Sequence, residues 1–222
     1  MAFQTLEYLI FFSLVFILYW TLCRKHKDYQ NGLIVVASLV FYGWCDWRFL
    51  GLLFITALST FLSGLWMDNT NDVRKRKFLL IGTVLINIGI LFFFKYFNFF
   101  IETFVDAFLL MGMSINVTTL HLLLPVGISF YTFTALSYSI DVYLHKVEST
   151  NDVLAYFAYV MFFPSILSGP ISRAQKQLPQ YFSRRDFDFI KSINACKLIL
   201  WGGGNEIVPS RQVRYICRHG LC

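Results

Sequence analysis

"FLGLLFITALSTFLSGLWM" (residues 49–67), "DNTNDVRKRK" (68–77) and "FLLIGTVLINIGILFFFKYFNFF" (78–100) follow one another without a break. The two outer runs, of 19 and 23 residues, match the ~20 apolar residues with which a helix crosses a bilayer core about 30 Å thick. Between them lie four consecutive basic residues, Arg74 to Lys77, and the only charge inside either run is Lys95. The pattern therefore predicts two membrane-crossing helices joined on a basic side.

The same pattern recurs outward along the chain. Residues 8–23 are uncharged and stop at Arg24-Lys25-His26-Lys27, and residues 32–45 meet 49–67 across the corner Asp46-Trp47-Arg48, short enough only for a helix hairpin. Further apolar runs occupy 121–143 and 153–169, and a weaker one, 187–201, is interrupted by Lys191 and Lys197. Composition agrees: 57% of the 222 residues are hydrophobic, 14% are charged and the mean hydropathy is +0.59, more apolar surface than one soluble domain hides. The fold class expected is all-α, a polytopic integral membrane protein.

The net charge of +6 sits in short clusters between apolar runs, which marks topology and not a nucleic-acid surface. Five cysteines without paired spacing support neither a disulfide framework nor a metal site. No basic region precedes the first run and no small-residue cleavage site follows it, so that run is expected to be retained.

Basic loops stay on the cytoplasmic side, and the two Arg/Lys-rich loops are separated by two runs, so they fall on one side as the rule requires. That assignment puts residues 100–120 outside and brings 121–143 back to the cytoplasm near His145 and Lys146. A full crossing by 153–169 would then place Arg173, Lys176, Arg184 and Arg185 outside, against the rule. The expectation is that 153–169 dips into the membrane and returns, broken at Pro164 and at Gly169-Pro170, the alternative being an ordinary kinked helix leading to an interfacial loop. Irregular backbone at such depth must be buried in protein or line a wet cavity.

Charges in apolar runs cost roughly 2.5–3.5 kcal/mol on insertion scales, so the polar residues there are informative. Lys95 reads as a snorkelling lysine, and Asn87 and Asn98 as hydrogen-bonding partners across helices. The run 121–143 holds Ser129, Tyr131, Thr132 and Asp141, with Ser129, Thr132, Leu136 and Ser139 near one stripe. Small hydroxyls of this kind serve packing as often as passage. Asp141 is either a helix-end anion or a partner for a base such as Arg173. Together with Pro164, Ser168, Pro170 and Arg173 these are the candidate lining of a polar passage. No nucleophile motif, no phosphate loop and no catalytic residue is read; "WGGGN" lacks the lysine and hydroxyl such a loop uses.

The ordered motifs "FQTLEYLIFF" (3–12), "ASLVFYGWCDWRFLGLL" (37–53), "FFFKYFNFF" (92–100), "LPVGISFYTFTALSYSIDVY" (124–143) and "FFPSILSGPISR" (162–173) resemble the membrane-bound O-acyltransferase family. The likeness is to its bacterial alginate O-acetyltransferase branch and the related D-alanyl-transfer proteins of teichoic acid synthesis, and it runs from Phe3 to Trp201. The resemblance implies a ring of membrane helices in the inner (cytoplasmic) membrane. Through it an acyl group from a cytoplasmic donor, acetyl-CoA or an acyl carrier, reaches an acceptor hydroxyl on a periplasmic or extracellular polysaccharide or acceptor protein. No bound cofactor is implied. Family members place their key histidine in the carboxy-terminal half, beyond the segment equivalent to Trp201, and His219, in a polar tail, is no counterpart. A transporter or channel fragment and a noncatalytic scaffold are the alternatives, though no second copy of the 121–143 pattern supports an inverted repeat.

Residues 1–201 are thus expected to form the amino-terminal membrane part, and residues 202–222 an aberrant polar tail. Reading permitted codons for "GNEIVPSRQVRYICRHGL" (204–221) one nucleotide forward spells "VMKLFLADRCAIYVDTA", whose K-to-LADR-to-YVD spacing matches the resembled family. A frameshift in the guanine-rich codons near Trp201 to Gly204 is the expectation, and it makes this chain an inactive fragment.

Overall fold

The structure, a computed structural model, describes residues 6–23, 26–110, 125, 127–166, 169 and 173–198. The chain divides into two compact units, Met1–Arg184 and Arg185–Cys222. Every regular element among the described residues is helical. In the first unit these are α1 (Leu6–Thr21), α2 (Lys27–Asp46), α3 (Leu50–Asp68), α4 (Val73–Leu110), α5 (Ile128–Tyr143), α6 (Val153–Val160), α7 (Phe163–Ile166) and α8 (Ala174–Gln177), with 3-10 turns at Trp47–Phe49 and Leu178–Tyr181. The second unit contains a helical stretch at 189–198, exposed throughout its length except half-buried Ser192. The tail and Asn98's side chain lie outside what is described.

The expected runs appear as helices with shifted ends. The corner at 46–48 is a 3-10 turn that Asp46 secures by accepting the Arg48 backbone N–H at 3.1 Å. Lys27–Asp68 and Val73–Phe97 are each long and apolar enough to cross a membrane. Only 11% of the most apolar window of α4 is buried, the reverse of a soluble core helix. Its outward residues include Phe78, Ile81, Leu85, Phe92 and Phe93. Lys95 is exposed among them, its ammonium 5.8 Å from the Tyr96 ring centre.

Two boundaries depart from the sequence reading. Of the run expected over 121–143, residues 121–124 and 126 lie outside the described residues, and α5 starts at Ile128, because Gly127 takes the left-handed conformation (φ 77°) open to glycine and hands its carbonyl to the amides of Phe130 and Tyr131. The helix expected to end near Phe100 runs to Leu110: backbone hydrogen bonding continues past Glu102 and Asp106 regardless of hydropathy.

α5 is the central helix, packed against α3, α4, α6, α7 and α8. α3 and α5 run parallel. Ser139 of α5 reaches the Thr60 carbonyl of α3 at 3.5 Å, and beyond their carboxyl ends Ser149 donates to Asp68 at 2.7 Å. At the same end, Arg76 of α4 donates to the Val142 and Tyr143 carbonyls at 3.0 and 3.4 Å. His145 (φ 55°) closes α5, its amide on Val142 and that of Lys146 on the Asp141 carbonyl. Lys27 joins this end through its ion pair with Asp152 at 3.2 Å. The beginnings of α2, α4 and α6 and the ends of α3 and α5 therefore gather at one basic end of the bundle.

From that end α6 rises beside α2. It has eight residues, about 12 Å of helix at 1.5 Å per residue. The chain then bends at Met161-Phe162, and the Phe163 amide donates to the Ser38 hydroxyl of α2 at 3.1 Å. Pro164, at the second position of α7, has no N–H to leave unpaired in a first turn. The chain next descends: Asn31, seven residues nearer the start of α2 than Ser38, donates to the Tyr181 carbonyl at 2.9 Å. α6 and the Leu178–Tyr181 turn lie side by side as the two arms of this reversal. Phe163 seats its tip among Phe11, Phe12 and Phe41 at ring separations of 5.5–6.3 Å.

Candidate functional site

Between α2, α3, α5 and the reversal runs a ladder of buried hydroxyls. At the basic end the Thr150 amide donates to the Tyr138 hydroxyl at 3.2 Å. One level up, the hydroxyls of Thr60 and Tyr156 lie 2.7 Å apart, and the Thr60 hydroxyl is also bonded to the Thr56 carbonyl at 2.8 Å. Next, Tyr159 donates to the Thr134 carbonyl at 3.2 Å and lies 3.1 Å from the Ser137 hydroxyl. Near the tip of the reversal Ser38 accepts from Phe163 and donates to its own helix at Ile34. Highest are Tyr42 of α2 and Tyr131 of α5, whose rings meet edge to face at 6.2 Å.

The rungs differ in satisfaction: unbonded hydroxyls gather around Tyr42 and Tyr131 near the top, and Ser63 adds one near the level of Tyr138. Tyr42, Tyr131, Thr132, Thr56 and Ser63 each bury a hydroxyl oxygen that has no hydrogen bond of good geometry. Leaving such a group unbonded costs about 1–3 kcal/mol. Tyr42, Tyr131, Thr132 and Thr56 are each only 1% exposed. At the foot of the ladder a cleft of about 540 Å³ opens among Lys27, Lys146, Thr150, Asp152, Gln175 and Phe182. Thr150 belongs both to the cleft and to the ladder's lowest rung.

The residues singled out in the sequence fall into two groups and do not form one cluster. Tyr131 and Thr132 are buried in the second turn of α5, while Ser129 is half-buried, so the expected stripe holds for Thr132, Leu136 and Ser139 and weakens at its first member. Asp141 lies ten residues further along, about 15 Å of helix rise from Tyr131. Its carboxylate accepts from the Gln175 amide at 3.5 Å, at the start of α8, where an anion complements the helix dipole. Among the described residues it makes no ion pair with Arg173, which is exposed and precedes α8. The observed contact, with a backbone amide of another element, matches neither of the two alternatives read from the sequence, a headgroup-level anion or a partner of Arg173. Pro164 is half-buried in α7, and Ser168 and Pro170 lie outside the described residues. Asn87 bridges helices as expected, donating to Ser59 at 3.0 Å and to the Thr83 carbonyl at 2.8 Å.

Sequence reasoning missed Tyr42, Thr60, Tyr156, Tyr159 and Arg76. A usable signal existed for Thr60: Thr56, Thr60 and Ser63 recur at i, i+4 and i+7 within an otherwise apolar run, one face of a helix. The tyrosines gave none, since a phenol in an apolar run fits an interfacial belt equally well.

No family model and no solved structure matches the chain. Among curated proteins it is similar to one named probable alginate O-acetylase from Pseudomonas aeruginosa, 34% identical across 99% of this chain and 42% of that protein. A protein of the same name from Pseudomonas syringae pv. tomato is 33% identical over 83% of this chain and 35% of its own length. The peptidoglycan O-acetyltransferase of Helicobacter pylori is 30% identical over 71% of this chain and 33% of its own length. The chain thus spans less than half the length of the curated relatives it matches. The helical bundle, the order of the quoted motifs and these similarities agree: the chain belongs to the membrane-bound O-acyltransferase family, with the O-acetyltransferases.

Proposed function

We propose that the chain is the amino-terminal part of a multi-pass enzyme of the bacterial inner membrane. That enzyme transfers an acetyl group from a cytoplasmic thioester, acetyl-CoA or an acyl carrier, to a hydroxyl of a cell-envelope polysaccharide such as alginate. In the transfer the acceptor oxygen bonds to the acetyl carbon, the C–S bond breaks, and the acceptor's proton ends on the departing thiol. The basic end of the bundle faces the cytoplasm, and the α6–α7 reversal is a re-entrant segment at the membrane's middle. Tyr131, Thr132, Pro164 and the neighbouring Ser129 wall the passage at that depth, and the expected contributions of Ser168 and Pro170 lie outside the described residues. Asp141 and Arg173 stand at its cytoplasmic mouth beside the 540 Å³ cleft.

The observation that carries this reading is the reversal. An eight-residue α6, a bend whose Phe163 amide meets α2 at Ser38, and a return arm that meets α2 again at Asn31 leave 153–181 with both ends at the basic side. The sequence similarity supplies the chemistry such a passage would serve. The test is acetyl transfer from radiolabelled acetyl-CoA or acyl carrier to polymannuronate in membranes holding a frame-corrected chain extended to the relatives' length. Transfer that disappears when the late histidine of the extended chain is changed supports the reading; solute flux without any transfer overturns it in favour of a transporter, and transfer indifferent to that histidine removes the histidine mechanism.

A further inference from the structure

Four tyrosines in the first unit are matched in burial and differ in bonding. Tyr156 and Tyr159 are 0% and 1% exposed, and each hydroxyl has a partner; Tyr42 and Tyr131 are each 1% exposed, and neither hydroxyl has a hydrogen bond of good geometry. The unsatisfied pair does not stand alone. Thr132 adjoins Tyr131 on α5, and the parallel register of α3 and α5 brings Thr56 to a level between Thr132 and the bonded Thr60.

The two threonines are conspicuous for what they decline. Thr21, Thr60, Thr70 and Thr83 all satisfy their hydroxyls on the carbonyl four residues back, at 2.7–2.9 Å. This is the usual refuge of a threonine inside an apolar helix. Thr56 and Thr132 hold their hydroxyls off those carbonyls and remain buried without a partner. Four buried hydroxyls from three helices thus lie at the upper part of the ladder, where those of Tyr42 and Tyr131 approach each other and none of the four makes a hydrogen bond of good geometry to the protein. A polar pocket with two to four such groups is what a buried water requires.

We propose that Tyr42, Tyr131, Thr132 and Thr56 form a site for ordered water within the helix bundle, above the satisfied rungs at Tyr156 and Tyr159. Its ligand is water, held by phenol and alcohol oxygens that both donate and accept. The inference builds on the polar passage argued above, since it makes the upper ladder wet at a depth where lipid-facing helices are dry, but its test needs no acetyl transfer.

X-ray radiolytic footprinting oxidises side chains beside bound water, whether or not bulk solvent reaches them. Applied to the full chain in lipid nanodiscs, it should label Tyr42 and Tyr131 several-fold faster than Tyr156 and Tyr159, the controls of equal chemistry and equal burial. Equal labelling of all four, fast or slow, overturns the proposal. In a Tyr131→Phe variant that still protects Tyr156 and Tyr159, Tyr42 should label several-fold more slowly; unchanged labelling there overturns it too. Failure of these measurements leaves the acetyltransferase reading standing, and absence of acetyl transfer leaves the labelling contrast intact.

Discussion

Replacing Gly64 with alanine tests the closest approach of α3 to α5. A Cβ built at Gly64 would stand 2.6 Å from Cε1 of Tyr138, 2.9 Å from its hydroxyl and 3.0 Å from Cζ. The ring cannot yield cheaply. It is fully buried, its hydroxyl accepts from the Thr150 amide at 3.2 Å, and its centre is 4.7 Å from that of Tyr156. Overpacking of this kind costs about 1–3 kcal/mol, and losing the Thr150 bond adds about 0.5–1.5 kcal/mol. Alanine's better helix propensity returns roughly 0.8–1 kcal/mol. The net expectation is a destabilisation of about 0.5–3.5 kcal/mol. Gly89 of α4 has no atom within 4 Å of its built Cβ, so Gly89→Ala should stabilise by about 0.5–1 kcal/mol. The assay is SDS titration of the full chain in mixed micelles, followed by circular dichroism. A double-mutant cycle with Tyr138→Ala completes it, because without the ring Gly64→Ala has nothing to strike and should become neutral or stabilising. If Gly64→Ala and Gly89→Ala shift the midpoint alike, or the Tyr138 background leaves the Gly64 effect unchanged, the close contact does not exist.

The same titration separates the two halves of the Thr60–Tyr156 rung. Tyr156→Phe leaves Thr60 bonded to the Thr56 carbonyl and should cost about 0.5–1.5 kcal/mol, whereas Thr60→Val strands a fully buried phenol and should cost about 1–3 kcal/mol. Adding Tyr156→Phe to Thr60→Val should then restore stability, and an additive loss would count against the rung. Arg76→Gln, removing a charged donor from the Val142 and Tyr143 carbonyls, should cost about 1.5–3 kcal/mol and speed amide exchange in the last turn of α5; unchanged exchange there would exclude the capping role. Single cysteines at Lys75, Lys146 and Gln180, all exposed, should react with an impermeant maleimide from one and the same side of the membrane. Labelling of Gln180→Cys from the opposite side would mean that 153–181 crosses.

The parts of this fold legible in the sequence are those governed by sums. Hydropathy accumulates over 20 residues, so α2, α3 and most of α4 stand out, and a lone misfit such as Lys95 does not hide the run. The charges of Arg173, Lys176, Arg184 and Arg185 suggested a return of the chain by the same kind of sum, and the arm from Ala174 to Tyr181 does come back beside α6 to Asn31 of α2, while the membrane side it faces belongs to the proposed topology. Boundaries are decided by single residues. Gly127 alone moves the start of α5 to Ile128, although Pro125 and Gly127 were both visible in the run.

The interior is harder for a reason specific to lipid. In a soluble protein the buried face is the apolar one, so periodicity points inward. When the solvent is hydrocarbon both faces are apolar, and what marks the inward face is a sparse set of hydroxyls whose partners sit on other helices. Thr60 finds Tyr156 across 96 positions of chain, and Arg76 finds Val142 across 66, separations that no local pattern encodes. Asp141 shows the consequence for function. Sequence alone set it between a headgroup-level helix end and a salt bridge, and the contact it makes is with neither but with Gln175, 34 positions away. Where outer surface and core share one polarity, a single polar residue becomes informative only once its partner is known, and the unpartnered ones at Tyr42, Tyr131, Thr132 and Thr56 become the most informative of all.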